Sequence, residues 1–313
     1  MSGKPAIVAE GLSKDFDGFR AVDGVSFQVA AGEIFGFLGP NGAGKTTTIR
    51  MLLGLLLPTS GRAEVLGYDV ARSPKAVQAR VGYMSQLFTL YGDLTAAENL
   101  RFYGLAYGLC RAALRQRRRE IIAMAGLEGR ENELTSRLSG GWRQRLALGC
   151  AIIHRPELVF FDEPTAGVDP LSRREFWELI YELAARGTTV FVTTHYMDEA
   201  EQCQRLAFIG GGRIVAQGTP EELKAAMAGQ VLEVDCAAPE LAMRALRQAQ
   251  SRGELGASEV ALYGNQIHVV VADAAAARPT LERLLHGAGV TVARIEWVPP
   301  TLEDVFIARV RST

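Results

Sequence analysis

Hydrophobic residues recur along this chain in two rhythms, and the rhythms divide it into elements. "AIVAEGLSKDF" (6–16) and "VDGVSFQVAAGEIFGFLGP" (22–40) alternate apolar and polar positions, which predicts strands separated by turns. Further on, short runs are apolar nearly throughout: "RVGYMSQ" (80–86), "ELVFFDEP" (157–164) and "TTVFVTTH" (188–195). Between them lie stretches with helical spacing: "TAAENLRFYGLAYGL" (95–109), "RAALRQRRREIIAMAGL" (111–127) and "SRREFWELIYELAARG" (172–187), the last closed by a glycine. "YMDEAEQC" (196–203) opens another helix. Strands this apolar, separated by helices, imply a parallel sheet covered on both faces.

The rhythm changes near residue 225, where "EELKAAMAGQ" closes the first pattern. Beyond it the periods predict strand 231–236, helix 238–251, strands 258–263 and 266–272, helix 276–287 and strand 290–297. Gly264-Asn265 fits a two-residue hairpin turn between the middle strands. The order βαββαβ suggests a small ferredoxin-like sandwich. The expected domains are therefore 1–227 and 228–313.

Composition narrows the picture only modestly. A chain of 313 residues, 48% hydrophobic, can hold a medium domain and a small one. The net charge of −1 gives no basic field, so no nucleic-acid partner is expected, and the run Arg115–Arg119 reads as a solvated helix face. Cys110, Cys150, Cys203 and Cys236 show neither C-x-x-C nor zinc spacing, and they read as free thiols. "MSGKPAIVAE" lacks the apolar core of a secretory signal, and "MLLGLLLP" (51–58) is too short to cross a bilayer. Work at a membrane would need another chain to cross it.

The chemistry starts at "GPNGAGKTT", which fits G-x-x-x-x-G-K-[ST]. It follows a strand, "EIFGFL", and opens a helix, "TTTIRMLLGLL", the context the motif requires. Gly39, Pro40, Asn41, Gly42, Ala43, Gly44, Lys45, Thr46 and Thr47 are the candidate phosphate cradle. Its backbone N–H groups and the helix N-terminus attract phosphate, Lys45 would reach the β- and γ-phosphates, and Thr46 would hold Mg²⁺.

In an open parallel sheet, ligands bind beyond the carboxyl ends of the strands. One strand ends on this cradle; the others end on Gln86, on Asp162 and Glu163, and on His195. Asp162 suits the Mg²⁺ shell, since a lone charge closing an apolar strand is costly unless paired or near a metal. Glu163 could polarise an attacking water, Gln86 could serve the metal or that water, and His195 could donate to the γ-phosphate. A second glycine-rich helix start, "SRLSGGWRQRLALG" (136–149), also looks prepared for an anion.

Together these motifs resemble the ATP-binding subunit of an ABC transporter over roughly residues 5–225. The phosphate loop resembles the family's Walker A, and "LVFFDEP" its Walker B with the catalytic glutamate. Gln86 falls at the Q-loop, "LSGG" at the signature, "AGVD" (166–169) at the D-loop and His195 at the switch histidine. The fold implied is α/β: a P-loop NTPase ABC cassette with a mixed sheet core, an antiparallel β subdomain and a helical signature subdomain, plus the small C-terminal α+β domain.

The resemblance also implies a use for the second glycine-rich start. Similar proteins form head-to-tail dimers in which each signature faces ATP held by the other subunit. Ser139, Gly140, Gly141 and Asp169 would then meet the partner's nucleotide. Phe16 stands where the family stacks an aromatic on adenine; an ordinary core or turn phenylalanine is the competing reading. Trp142 departs from the usual glutamine and offers one donor and no acceptor, so it either uses that donor, packs on the partner's nucleotide or packs on neighbouring loops.

The activity implied is ATP hydrolysis coupled to transport, with ATP and Mg²⁺ as cofactors. The partners implied are a second cassette and a separate membrane permease, at the cytoplasmic face of a bacterial inner membrane. "LFTLYGDLTAAENLRFYGLAYG" (87–108) would receive the permease's coupling helix. "LTAAENLRFYGLAYG" and "TLEDVFIARV" (301–310) resemble the drug and antibiotic exporter branch. The alternative is a soluble mechanical ATPase of translation or DNA repair; such relatives carry paired cassettes, a coiled-coil insertion or zinc cysteines, and none is present here. His268 and His286 read as structural.

Overall fold

A computed structural model describes residues 4–86 and 90–311. Contacts divide the chain into two compact units, Met1–Thr219 and Pro220–Thr313. The first contains β1 (Ile7–Phe16), β2 (Phe19–Val29), β3 (Ile34–Leu38), α1 (Lys45–Leu52), β4 (Ser60–Val65), β5 (Tyr68–Asp69), α2 (Pro74–Gln78) and β6 (Val81–Met84). It continues through α3 (Ala96–Ala106), α4 (Arg111–Met124), α5 (Gly140–Ile152), β7 (Leu158–Asp162), α6 (Pro170–Ala185), β8 (Thr189–Thr194), α7 (Met197–Ala200), β9 (Arg205–Gly210) and β10 (Arg213–Gly218).

Its strands form two sheets. One is antiparallel, in the order β2-β1-β4-β5. The other runs β10-β9-β3-β8-β7-β6, parallel from β9 to β6 with β10 antiparallel at its edge. The period of two within each buried strand sorts residues to opposite faces. Phe35 and Phe37 of β3 meet Phe27 and Phe191 between the two sheets, and Phe191 meets Phe160, with ring centroids 5.4–5.9 Å apart. Ile34, Phe161, Val190 and Val192 face the other way, into a core shared with α5 and α6. This is the expected mixed core with an antiparallel subdomain and a helical one.

Within the helical subdomain, α3 starts at a capping box in which Thr95 accepts from the Glu98 N–H and the Glu98 carboxylate accepts from the Thr95 N–H. The basic run on α4 is not simply solvated. Arg115 and Arg119 are exposed, but Arg117 donates to the carbonyls of Ile152 (2.8 Å) and Ile153 (3.0 Å), closing the C-terminal end of α5.

The second unit holds α8 (Pro220–Ala225), β11 (Gln230–Cys236), α9 (Pro239–Ser251), β12 (Ala257–Tyr263), β13 (Gln266–Val271), α10 (Ala274–Gly287), β14 (Val292–Val298) and α11 (Leu302–Arg311). Its sheet is antiparallel throughout in the order β12-β13-β11-β14, the arrangement of a ferredoxin-like sandwich. Leu232, Val234, Ile267, Val269 and Ile295 pack under α9 and α10. The division between units falls before the 227/228 boundary read from the sequence, because α8 packs against α11. Helix α11 itself was not read from the sequence. On it, Asp304 accepts from Thr301 and meets His268 Nδ1 at 2.8 Å, both side chains being buried.

Candidate nucleotide site

Strand β3 is buried along its whole length and delivers the chain to residues 39–44 at the carboxyl edge of the sheet. Pro40, Asn41 and Gly42 form an exposed rim, while Gly39, Ala43 and Lys45 are buried beneath it. Gly44 caps α1 with φ +103°, and a Cβ there would lie 2.5 Å from the Ala21 carbonyl oxygen. Only glycine fits, so the loop's shape follows from its sequence. Thr46 and Thr47 are half-buried in the first turn of α1.

The Lys45 ammonium lies inside the loop, donating to the carbonyls of Gly39 (2.7 Å) and Pro40 (3.1 Å). Its third contact is Glu163 Oε1 at 2.9 Å, both side chains being more than nine-tenths buried. The other oxygen, Oε2, accepts from Gln86 Nε2 (3.3 Å) and meets His195 Nδ1 (3.2 Å). The ends of three strands and the phosphate loop thus converge on one carboxylate. Glu163 has φ +48°, a left-handed conformation that is costly for a side-chain-bearing residue. Such strain persists where the surroundings over-determine it, often at functional sites.

Asp162 is 1% exposed and is held by a residue the sequence reading missed. Thr193 Oγ1 donates to Asp162 Oδ1 (2.8 Å) and accepts from the Glu163 N–H (3.0 Å), so one hydroxyl of β8 holds the Asp162 carboxylate and the Glu163 backbone. Burial, and then the charge of Asp162, push the Tyr83 phenol up to about 12.

The signature and D-loop residues form a second cluster. Ser139 and Gly140 are exposed at the start of α5, and the Ser139 side chain makes no capping bond. A Cβ on Gly141 would lie 2.7 Å from Ser172 Oγ, so glycine lets α5 approach the first turn of α6. Asp169 caps α6 by accepting from the Ser172 N–H at 3.0 Å, which holds its carboxyl below the usual range. Buried Gln144 connects the two clusters, donating to the Pro164 carbonyl at 2.7 Å, directly after Glu163. A further link ties the chain after Glu163 to the segment after His195: Thr165 donates to Glu199, whose carboxyl is pushed up by burial.

Trp142 packs on neighbouring residues of its own chain. The guanidinium groups of Arg130 and Arg145 each lie 5.0 Å from its ring centre, and the ring packs against the helical core. Arg145 is held in turn by Glu175 of α6. Phe16 makes none of these contacts; it is 43% exposed at the end of β1, with the Lys14 ammonium 5.1 Å from its ring centre.

Comparison with known proteins decides what this arrangement is. Residues 22–166 match the ABC transporter family, and residues 218–310 match the C-terminal domain of DrrA1-3-like ATP-binding proteins. The daunorubicin resistance ATP-binding protein DrrA3 of Streptomyces coeruleorubidus is 36% identical over 312 residues, covering 96% of this chain and 95% of that protein. The chain belongs to the ABC transporter ATP-binding family. The probable multidrug ABC transporter ATP-binding protein YbhF of Escherichia coli is 49% identical over 223 residues, 71% of this cassette chain, which spans only 39% of YbhF. A solved ATP-binding subunit of an ABC transporter superposes with a TM-score of 0.64 at 31% identity, covering 70% of this chain and 92% of that one.

Proposed function

We propose that this cassette is the ATP-hydrolysing motor of an exporter, working as a head-to-tail dimer on a separate membrane permease. The observation that carries the reading is the convergence of Lys45, Gln86 and His195 on the Glu163 carboxylate. Phosphate oxygens entering the loop compete for Lys45 and release Glu163 from it. Held by its strained backbone, that carboxylate then orients and polarises water against the γ-phosphate. His195 and Lys45 donate to the charge that develops on the transferred group. Phe16 supplies a face for adenine.

Thr46, Gln86 and Asp162 offer the hard oxygen donors that Mg²⁺ shares with phosphates. When bound, the ion neutralises phosphate charge. Among the described residues, no group of three or more acidic, histidine or cysteine side chains could hold a metal alone, which suits a cation that arrives with the nucleotide.

Ser139, Gly140, Gly141 and Asp169 complete the partner's site. A relative at 25% identity and TM-score 0.62 was solved as a dimer in a post-hydrolysis state with ADP and Pi, and it covers 68% of this chain. Among the described residues no helix is long and apolar enough to cross a membrane, so a separate permease would do so, with the cassette at its cytoplasmic face. Residues 87–89 of the expected coupling segment lie outside the described residues. Its remainder exposes Tyr91, Phe102 and Leu105, with Tyr91 and Phe102 in edge contact at 4.7 Å, a surface suited to a partner helix. Relatives named for daunorubicin resistance and for Nod factor export support the exporter reading over a soluble mechanical ATPase.

Glu163→Gln tests the catalytic assignment. Labelled ATP should stay bound while turnover falls about 100-fold or more. Turnover within a factor of about two of the parent would refute it.

A further inference from the structure

Strand β8 is apolar from Val190 to Val192 and then ends on two buried threonines, Thr193 and Thr194. A buried hydroxyl needs partners, and these two find different ones. Thr194 serves its own turn, its hydroxyl accepting from the Tyr196 N–H at 3.0 Å. Thr193 reaches across to β7. Parallel pairing sets it opposite Asp162, so both side chains leave the sheet on one face.

The contacts of Thr193 bracket the peptide between Asp162 and Glu163. Its hydroxyl has one proton and a carboxylate only accepts, so the proton goes to Asp162 Oδ1 (2.8 Å). A lone pair is left for the Glu163 N–H at 3.0 Å, which also meets the Thr193 carbonyl oxygen at 3.1 Å. Both acceptors of this N–H therefore come from one residue. Glu163 follows with φ +48°, and its carbonyl accepts from the Ala166 N–H at 3.2 Å. The next carbonyl, of Pro164, accepts from Gln144 at 2.7 Å. The strained left-handed residue is thus held from both ends, as strain at a functional site requires. The Tyr83 phenol also bonds Asp162. Of these four residues, Thr193 is the one that grips both the Asp162 carboxylate and the glutamate's backbone.

We propose that Thr193 is a positioning residue for ATP hydrolysis, its hydroxyl fixing Asp162 and Glu163 relative to each other. That role rests on the catalytic reading of Glu163 above. Before phosphate enters, Lys45, Gln86 and His195 also hold the glutamate's carboxylate. Once phosphate takes Lys45, the backbone carries more of the task of aiming it. Thr193 is 0% exposed, so it acts through its two neighbours on β7 and does not touch nucleotide. A misplacement of about 1 Å costs up to about 100-fold in rate. Losing the hydroxyl should therefore lower turnover far more than affinity for ATP, which the phosphate loop supplies.

The test compares Thr193→Val and Thr193→Ser in the full chain. Valine keeps the shape and loses the hydroxyl; serine keeps the hydroxyl. In Thr193→Val, kcat should fall about 10-fold or more while the Kd for ATP stays within about 3-fold of the parent. Thr193→Ser should recover kcat to within about 3-fold. Valine turnover within about 2-fold of the parent would overturn the proposal. So would a parallel loss of turnover and affinity, or serine as poor as valine, since the threonine would then be merely structural. If the valine chain does not fold, Thr193→Ala takes its place, leaving room where valine sets a methyl against Asp162, and the same results decide. Glu163→Gln measured alongside separates the two readings. If Glu163→Gln is inactive and Thr193→Val is not, only the positioning role fails. If Glu163→Gln turns over like the parent, the catalytic reading itself fails.

Discussion

Two helices of the first unit begin at glycines, and they meet opposite circumstances. At α1 the start is enclosed by its own chain: Lys45 is buried with two loop carbonyls and Glu163 around it. At α5, Ser139 and Gly140 face solvent and the serine hydroxyl caps nothing. Both present the orphan N–H groups and partial positive charge of a helix N-terminus. One has its cation, base and phosphate loop at hand; the other has a glycine seated on α6 and no ammonium. A shared local signal therefore serves two purposes. The first start builds a site, and the second is suited to complete a site built elsewhere.

The strongest way to break this contrast is Lys45→Ala. It removes charge-assisted hydrogen bonds, each contributing about 1.5–3 kcal/mol, so nucleotide affinity should fall about 10–100-fold in a binding titration. Unchanged affinity would place the phosphates elsewhere. Ser139→Arg should sharpen the contrast from the other side. Affinity of the lone chain should stay within about 2-fold, while ATP-driven dimerisation weakens about 10-fold in sedimentation velocity, because a bulky side chain blocks the exposed N–H groups. Loss of binding by the lone chain would contradict the division of roles.

A smaller effect belongs to a pair in the other unit, which should leave both helix starts untouched. Burial alone would lower His268, but Asp304 and Glu233 outweigh it and hold the imidazole above its ordinary 6.5. Asp304 is held below 3.8: burial opposes this, and its bonds to His268 and Thr301 prevail. The histidine contribution is therefore complete below about pH 6.5 and is lost as pH rises through the raised value. The carboxylate contribution is present above about pH 3.8 and is lost as pH falls through the lowered one. Thermal melts should show the second unit weakening from pH 6 to 9, with His268→Gln flattening that slope and ATP binding unaffected.

Trp142→Gln should do least. Two cation–π contacts at a half-exposed site contribute about 0.5–1 kcal/mol each, so melting should drop by a few degrees. ATP turnover should stay within about 2-fold, since the ring packs on Arg130 and Arg145 of its own chain. A turnover loss of about 10-fold would mean that it touches nucleotide.

What was legible in the sequence was local or periodic. The phosphate loop, the strand-end residues and the signature each lie within a few residues of chain, and apolar runs located β3, β6, β7 and β8, though not β9. The βαββαβ unit was readable because short apolar runs with partial alternation are separated by helical stretches, as in β11, where Leu232, Val234 and Cys236 are buried around half-exposed Glu233 and Asp235. What escaped depends on residues distant in the chain. Strand β4 has only Ala63 and Val65 buried, too few to mark a period. Thr193 looks like any strand threonine until β8 lies beside β7 and its hydroxyl reaches Asp162. Arg117 hid in a basic run, although two carbonyls of α5 claim it. α11 gains its meaning from the buried His268, 36 residues before Asp304.

The central claim is that the two glycine-rich helix starts of one chain serve two different ATP molecules. It is tested most directly by mixing differently tagged Lys45→Ala and Ser139→Arg chains with ATP and measuring association. A mixed pair contains one composite site with both features intact, so unlike chains should associate on ATP addition while each variant alone does not. If the mixture associates no better than either variant alone, or if Ser139→Arg alone pairs as readily as the parent, the claim is contradicted.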